Sequence, residues 1–420
     1  MQRLRVGVIF GGRSSEHEVS VASAAAVLAH LDPARYEPVP IHIDRGGRWS
    51  LPERPPLESS ARAVIEGARG PGAGAAEGAG PGPDEAPVEA HLVAHPRRDT
   101  IVTIRRESAG RGAGRRDGDG ASGAGRDGAG AGGAGGGGAH PATVAGLALD
   151  VVFPVVHGPY GEDGTLQGLL ELANVPYVGA GVLGSAVAMD KAVAKTLIAA
   201  RGLPQVDHCV VAGPDWDADP GRVAARVEAA LPYPVFVKPC NLGSSIGVSR
   251  AADRGELRRA LARAREFDRK LLVEGAVADA REIECAVLGN DAPEVSVPGE
   301  IVPAGDFYDY DAKYLDDGSE LIIPARLPAA RADAVREMAA EAFRAVEGAG
   351  MARVDFLLAA GDDRIYVNEV NTIPGFTTIS MYAKLWEASG LPYAALLDRL
   401  IELAQARHAA KQRLRTSLTD

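Results

Sequence analysis

Apolar and polar positions along the chain follow two periods, and together they divide it into strands and helices. Residues 5–10 form a short apolar run ending at Gly11-Gly12, the pattern of a strand buried on both faces. An Ala-rich helical segment, residues 21–30, and a second strand, residues 37–43, follow. Further strands are expected at 149–153, 209–212, 234–238, 246–249, 270–274, 281–288 and 300–302. Helices are expected at 166–173, 184–200, 220–230, 254–265, 330–348 and 393–404, with Gly202-Leu203-Pro204 ending the second of these.

The segment with the most chemistry spans residues 351–382. Two apolar runs flank a polar Gly361-Asp362-Asp363 connection, which predicts a β-hairpin. Side chains two apart on a strand share a face. Arg353 and Asp355 therefore point one way, as do Glu369 and Asn371. If the two faces coincide, two carboxylates, an amide and a guanidinium meet, an oxygen-rich set suited to a hard cation such as Mg²⁺. The same pattern also fits a half-buried hairpin whose charged face meets water. Pro374-Gly375 then opens a donor-rich stretch, Phe376 to Met381, with the character of a second ligand's loop.

Three further loops carry candidate chemistry. Gly11-Gly12 and the Ser14–Ser20 stretch join a strand to a helix N-terminus, where Glu16 either serves a ligand or belongs to ordinary capping. His157 and Glu162 lie in a Gly-rich loop at the end of the 149–153 strand, where open α/β sheets gather ligands. Lys238 ends a strand ahead of Gly243-Ser244-Ser245, a loop between two strands whose N–H groups suit phosphate; a plain serine hairpin is the alternative. The aromatic and charged stretch 306–314 has the composition of a lid.

Composition narrows the function classes. A net charge of −11 over 420 residues argues against nucleic acid as a main partner. Cys209, Cys240 and Cys285 form no CxxC pair, so reduced thiols in a cytoplasmic protein are the simplest reading. No apolar run reaches membrane-span length. Residues 52–142 are dominated by Gly, Ala, Pro and Arg and read mostly as a disordered insertion, with short strands expected around 91–94 and 100–104.

Eight motifs in register cover nearly the whole chain outside that insertion: GG-x-S-x-EHEVS, HG-x-x-GEDG-x-x-Q, MDK, VKP-x-x-x-GSS-x-G, REIE, FYDYDAKY, ARVDF and NEVNTIPGFT. In this order the chain resembles the D-alanine–D-alanine ligases of the ATP-grasp superfamily. The resemblance implies an α/β and α+β protein: a Rossmann-like parallel-sheet N-terminal domain (1–180), a central ATP-grasp lobe (181–274), a C-terminal lobe with the metal site (275–408) and a flexible tail (409–420). It implies ATP-dependent joining of two D-alanines for peptidoglycan synthesis, with two Mg²⁺ ions that Mn²⁺ can replace and, as an open alternative to a monomer, a homodimer.

By position, Lys191, Lys238 and Lys313 would meet ATP phosphates under a loop holding Ser244 and Ser245. Glu274 and the backbone to Val277 would meet adenine, Glu282 the ribose, and Asn368 the nucleotide site. Asp355, Glu369 and Asn371 match metal ligands, and Arg353 with the Gly375 N–H matches an oxyanion site. Glu16 would take the ammonium of the first D-alanine and connect with Ser244 and Tyr314, with His157 also on the substrate. Ser380 and Met381 would take the acceptor carboxylate. Lys313-Tyr314 is the pair carried by relatives that use D-alanine as acceptor. The Gly275-Ala276-Val277 stretch is smaller, and one residue longer before Arg281-Glu282, than relatives usually show. The alternatives are another ATP-grasp carboxylate–amine ligase, such as a D-Ala–D-Ser or D-Ala–D-Lac type, and a catalytically silent nucleotide-binding regulator.

Overall fold

The computed structural model describes residues 3–56, 61–69, 88–92, 101–106, 142–302, 320–360, 364–415 and 417. Its N-terminal part is a seven-stranded sheet. The first strand, Leu4–Gly11, lies parallel between Tyr36–Ile43 and Val151–Pro154. Helix His17–His30 makes the crossover that a parallel neighbour requires. Beyond Tyr36–Ile43 the sheet continues antiparallel through Trp49–Ser50, Glu89–Leu92, Ile101–Arg106 and Ala142–Leu147.

The expected parallel sheet is thus a mixed one. Two of its four antiparallel strands come from within the segment read as an insertion, where the strands expected near 91–94 and 100–104 pair with each other as Glu89–Leu92 and Ile101–Arg106. Helix Ala61–Arg69 also falls inside that segment and corrects the expectation of disorder there. Leu51 N–H donates to the Val88 carbonyl at 3.2 Å, and Ile101 is fully buried, so a few apolar residues suffice to dock these pieces on the sheet.

The central lobe is a four-stranded antiparallel sheet in the order Ser249–Ala251, Val235–Pro239, Lys270–Gly275, His208–Ala212. Helices Pro220–Ala230 and Arg254–Arg265 cover it, and Val211, Trp216, Val223, Leu257 and Val273 make a core of its own. Asp219 and Asp253 cap the two helices by accepting from Arg222 and Glu256 N–H.

The C-terminal lobe is an antiparallel sheet running Glu320–Ile322, Gly299–Val302, Arg281–Gly289, Gly350–Leu358, Ile365–Asn371, with Glu294–Val295 beside Arg281–Gly289. The single helix expected over 184–200 is two, Val182–Met189 and Lys191–Ala200. Asp190 adopts an extended backbone between them and caps the second through Val193 N–H. Both pack on the C-terminal sheet with Val335, Phe343 and Val354, although the sequence grouped them with the central lobe.

The N-terminal sheet and the C-terminal lobe share one core. Val6, Val8 and Phe153 from the first meet Phe376, Tyr382 and Leu400 from the second. The closing helix, Tyr393–Gln412, runs past the expected end at 404 because its last turns bind the N-terminal part: Arg407 donates to the Tyr177 carbonyl at 3.0 Å and lies over the Tyr177 ring. Among the described residues no helix is long and apolar enough to cross a membrane.

Candidate active site

The hairpin forms with the register that brings its charged faces together. Asp355 lies opposite Glu369 and Arg353 opposite Asn371, with a β-bulge just after Asp355. Arg353 grips the Asp355 carboxylate with two nitrogens, each at 2.7 Å, and reaches Glu284 on the neighbouring strand at 3.1 Å. Asn371 donates to the same carboxylate at 3.0 Å. Burial opposes the guanidinium charge, but Asp355, Glu284 and Glu369 outweigh it and hold Arg353 firmly protonated.

Among the described residues, no three His, Cys, Asp or Glu side chains converge as a metal cage. Two carboxylates and an amide do, and that set leaves coordination places for phosphate oxygens and water, as Mg²⁺ prefers. Protein cations already occupy these carboxylates: Arg353 on Asp355, and Lys191 on Glu369 at 3.4 Å. A patch that recruits two cationic side chains has the charge and donor chemistry of a divalent-cation site.

The phosphate-binding candidates line the same cleft. Lys191, Lys238, Ser244, Ser245, Glu282, Asn368 and Glu369 all border it beside Asp355. Lys191 donates to the Leu242 carbonyl at 2.7 Å, which ties it to the serine loop. Ser244 and Ser245 both adopt left-handed backbone, at φ +48° and +57°, a cost that non-glycine residues accept chiefly where a loop must present its N–H groups.

Lys238 pairs with Glu274 at 2.6 Å, and Lys195, which the sequence reading passed over, pairs with the other oxygen at 2.7 Å. Burial alone would raise the Glu274 carboxyl; the two lysines reverse that and hold it down at about 2. Glu274 was expected at adenine, but its carboxylate faces these lysines and only its backbone is left for a nucleotide. Spacing gave one clue to Lys195: it lies four residues after Lys191 on the same helix, and so on the same face.

Across the cleft, the Ser244 hydroxyl donates to Glu16 Oε1, joining the central lobe to the N-terminal part. Glu16 is buried beside Gly158, where an added Cβ would come within 2.9 Å of its Oε2. Glu162 sits close by. Burial, then the Glu16 charge, raises its carboxyl well above the usual range. Burial lowers the His157 imidazole despite the Glu16 charge.

Beyond the hairpin, Gly375 leads to Phe376, which packs between Phe153, Tyr382 and Tyr393 with ring centroids 5.5–5.7 Å away. Ser380 bonds Thr377 Oγ1 at 2.7 Å and lies next to Gly375, so a Cβ there would be 3.3 Å from its Oγ. The Met381 side chain is buried in the shared core, which leaves its N–H, at the start of helix Met381–Ala388, for a ligand. Lys313 and Tyr314, with the rest of the expected lid, lie outside the described residues.

Comparison with known proteins agrees with this arrangement. The model of the D-ala D-ala ligase N-terminus matches residues 5–180, and that of the D-ala D-ala ligase C-terminus matches residues 197–402. The chain belongs to the D-alanine–D-alanine ligase family.

Relatives include the D-alanine–D-alanine ligase of Heliobacterium modesticaldum, 43% identical over 98% of both chains, and that of Solibacter usitatus, 44% identical over 98% of both. Among solved structures, the D-alanine–D-alanine ligase of Coxiella burnetii is 34% identical, with a TM-score of 0.72, over 98% of this chain and 97% of that one. The VanG D-Ala:D-Ser ligase of Enterococcus faecalis is 30% identical, with a TM-score of 0.73, over 96% of this chain and 100% of that one. Family membership therefore fixes the enzyme class, while two solved relatives of equal structural similarity bear names with different acceptors.

Proposed function

We propose that the chain joins two D-alanines to D-alanyl-D-alanine at the expense of ATP, for peptidoglycan precursor synthesis. The observation that carries this is the hairpin register, which sets Asp355 against Glu369 and Arg353 against Asn371 at the mouth of a lysine-lined cleft.

A carboxylate is a poor acylating agent. In the proposed first step, a carboxylate oxygen of the first D-alanine attacks the γ-phosphorus of ATP, the bond to the β-phosphate oxygen breaks, and ADP leaves. Lys191 and Lys238 hold the phosphate charge, Ser244 and Ser245 cover it, and Glu16 holds the substrate ammonium. Asp355, Glu369 and Asn371 would hold two Mg²⁺ ions, or Mn²⁺ in their place, and the ions would supply Lewis-acid neutralisation of the phosphate oxygens. Glu282 and Asn368 lie on the nucleotide side, with the backbone from Glu274 to Val277 at adenine.

In the second step the amine of the other D-alanine attacks the acyl carbonyl, loses a proton, and phosphate departs. Arg353 and the Gly375 N–H stabilise the oxyanion, while Ser380 and the Met381 N–H hold the acceptor carboxylate. By the family resemblance, Lys313 would meet the phosphates and Tyr314 would connect with Glu16 and Ser244, keeping water from the acyl phosphate.

Phosphate release with ATP, Mg²⁺ and D-alanine, coupled to chromatographic detection of the dipeptide, tests the reading. Absence of D-alanyl-D-alanine from a folded preparation overturns it. In competition at neutral pH, D-alanine is expected to exceed both D-serine and D-lactate as acceptor; a dominant depsipeptide or D-Ala-D-Ser product refutes that choice.

A further inference from the structure

Ser23, His157 and Glu162 all belong to the N-terminal part, yet all three bind backbone of the turn that follows the C-terminal hairpin. His157 Nδ1 lies 2.9 Å from the Ile373 carbonyl, and Nε2 lies 3.0 Å from Ser23 Oγ. Ser23 Oγ in turn accepts from Phe376 N–H at 3.3 Å. The Ile373 N–H donates to the Glu162 carboxylate, which also accepts from Gly158 N–H at 2.7 Å. Ser23 is fully buried and His157 is 3% exposed.

The protons in this group can be placed by counting. A carbonyl only accepts, so His157 Nδ1 must carry a proton. If Nε2 carried one as well, Ser23 Oγ would receive two N–H donors, and its own hydroxyl proton would lack the Nε2 acceptor in a fully buried place. One arrangement uses every group: Phe376 N–H to Ser23 Oγ, Ser23 O–H to Nε2, and Nδ1–H to the Ile373 carbonyl. Both ring nitrogens are then spent, and His157 has none left for a substrate.

We infer that Ser23, His157 and Glu162 form a clamp that positions the 373–376 turn, and that His157 is a positioning residue in its Nδ1–H form and does not contact substrate. The clamp holds the turn at both ends of the Pro374-Gly375 step: Ile373 through both its backbone groups, and Phe376 through its N–H. The Gly375 N–H lies between these fixed points, so its direction depends on them. This replaces the substrate contact expected of His157 from the family resemblance. Its catalytic consequence rests on the oxyanion role proposed for Gly375; its hydrogen-bond pattern does not.

The test accordingly has two arms. In ¹⁵N-histidine NMR of the full chain, with the His157 signals assigned by their loss in His157→Gln, the expected result is a protonated Nδ1 and an unprotonated Nε2. An Nε2–H form or an imidazolium at neutral pH overturns the clamp whatever the enzyme does. In steady-state kinetics, Ser23→Ala is expected to lower kcat by about ten- to a hundredfold, as misplacement of a catalytic group does, with KM for ATP and for both D-alanines within about twofold.

His157→Asn retains a donor where Nδ1 stands and is expected to keep more kcat than His157→Ala. A large rise in KM for D-alanine in His157→Asn, with kcat kept, would make His157 a substrate contact and refute the proposal. Wild-type protein lacking ligase activity would overturn the proposed function and leave the NMR arm to judge the clamp.

Discussion

Replacing Lys195 by methionine removes one of the two cations that flank a carboxylate buried beside the cleft. Lys195 stands on a helix that packs with the C-terminal lobe, whereas Glu274 and Lys238 stand on adjacent strands of the central lobe. Lys195 and Glu274 are each about 3% exposed at their side chains, so water does little to replace a lost partner. The two lysines hold the Glu274 carboxyl at about 2 against its ordinary 4.5. That difference, at ~1.4 kcal/mol per unit, amounts to roughly 3.5 kcal/mol of stability at neutral pH. Removing one member of a buried ion pair costs about 3–5 kcal/mol by comparison with other proteins.

Lys238 remains in Lys195→Met, so the lower end applies, about 3 kcal/mol. Glu274→Gln leaves two buried ammonium groups facing each other and is expected to cost more. Because the folded carboxyl is depressed, its contribution is complete above pH 4.5 and is lost as pH falls toward 2. Urea unfolding at pH 7.5, followed by fluorescence of Trp216 in the central-lobe core with the other two tryptophans replaced by phenylalanine, measures the loss. The difference between wild type and Lys195→Met should shrink as the pH is lowered below about 4. KM for ATP should rise, because Glu274, the partner of Lys238, loses one of the two lysines that fix it. An unchanged urea midpoint together with an unchanged KM would refute the reasoning.

Two other predictions concern the hairpin and the long polar segment. Asp355→Ala is expected to lower kcat by at least about a thousandfold, as loss of a group central to phosphoryl transfer does, while circular dichroism keeps the wild-type fold and the melting temperature falls, since Arg353 loses a two-bond partner and keeps Glu284. Activity within tenfold of wild type would remove Asp355 from the metal site. Replacing residues 107–141 by a short turn is expected to leave turnover within about twofold, since Arg106 and Ala142 already face each other across a hairpin register. Deleting the whole of 52–142 would also remove two strands and a helix that the sheet uses, and soluble expression should fall sharply. Loss of turnover in a folded variant lacking only 107–141 would refute the first statement.

What the sequence made legible was what a single segment encodes. The period-2 spacing of Arg353 with Asp355, and of Glu369 with Asn371, placed each pair on one face before any partner strand was known, and the register then joined the faces. Glycine-bearing loops at strand ends likewise located Glu16, Lys238 and the serine loop. The edge strand Ala142–Leu147 was harder to see, because its neighbour Ile101–Arg106 supplies its ladder hydrogen bonds and it carries few bulky apolar residues.

The side chains whose roles changed are of another kind: each has its partner on a different lobe. Glu274 reads locally as the end of a strand near a nucleotide, and only the helix carrying Lys195 makes it an ionic bridge. His157 reads as a loop histidine free for substrate, and only the arrival of Ile373 and Ser23 takes both its nitrogens. Neither change can be deduced from spacing, since both arise where separately folded pieces meet. They also bear on the same property. Phe376 is fixed in the core shared by the N-terminal and C-terminal parts, Ile373 is held on both backbone groups, and Lys238 is fixed from beneath by Glu274. The cleft is therefore bordered by groups whose positions are set by contacts made away from any substrate, the condition under which donors can be aimed at a developing charge without reorganising when it appears.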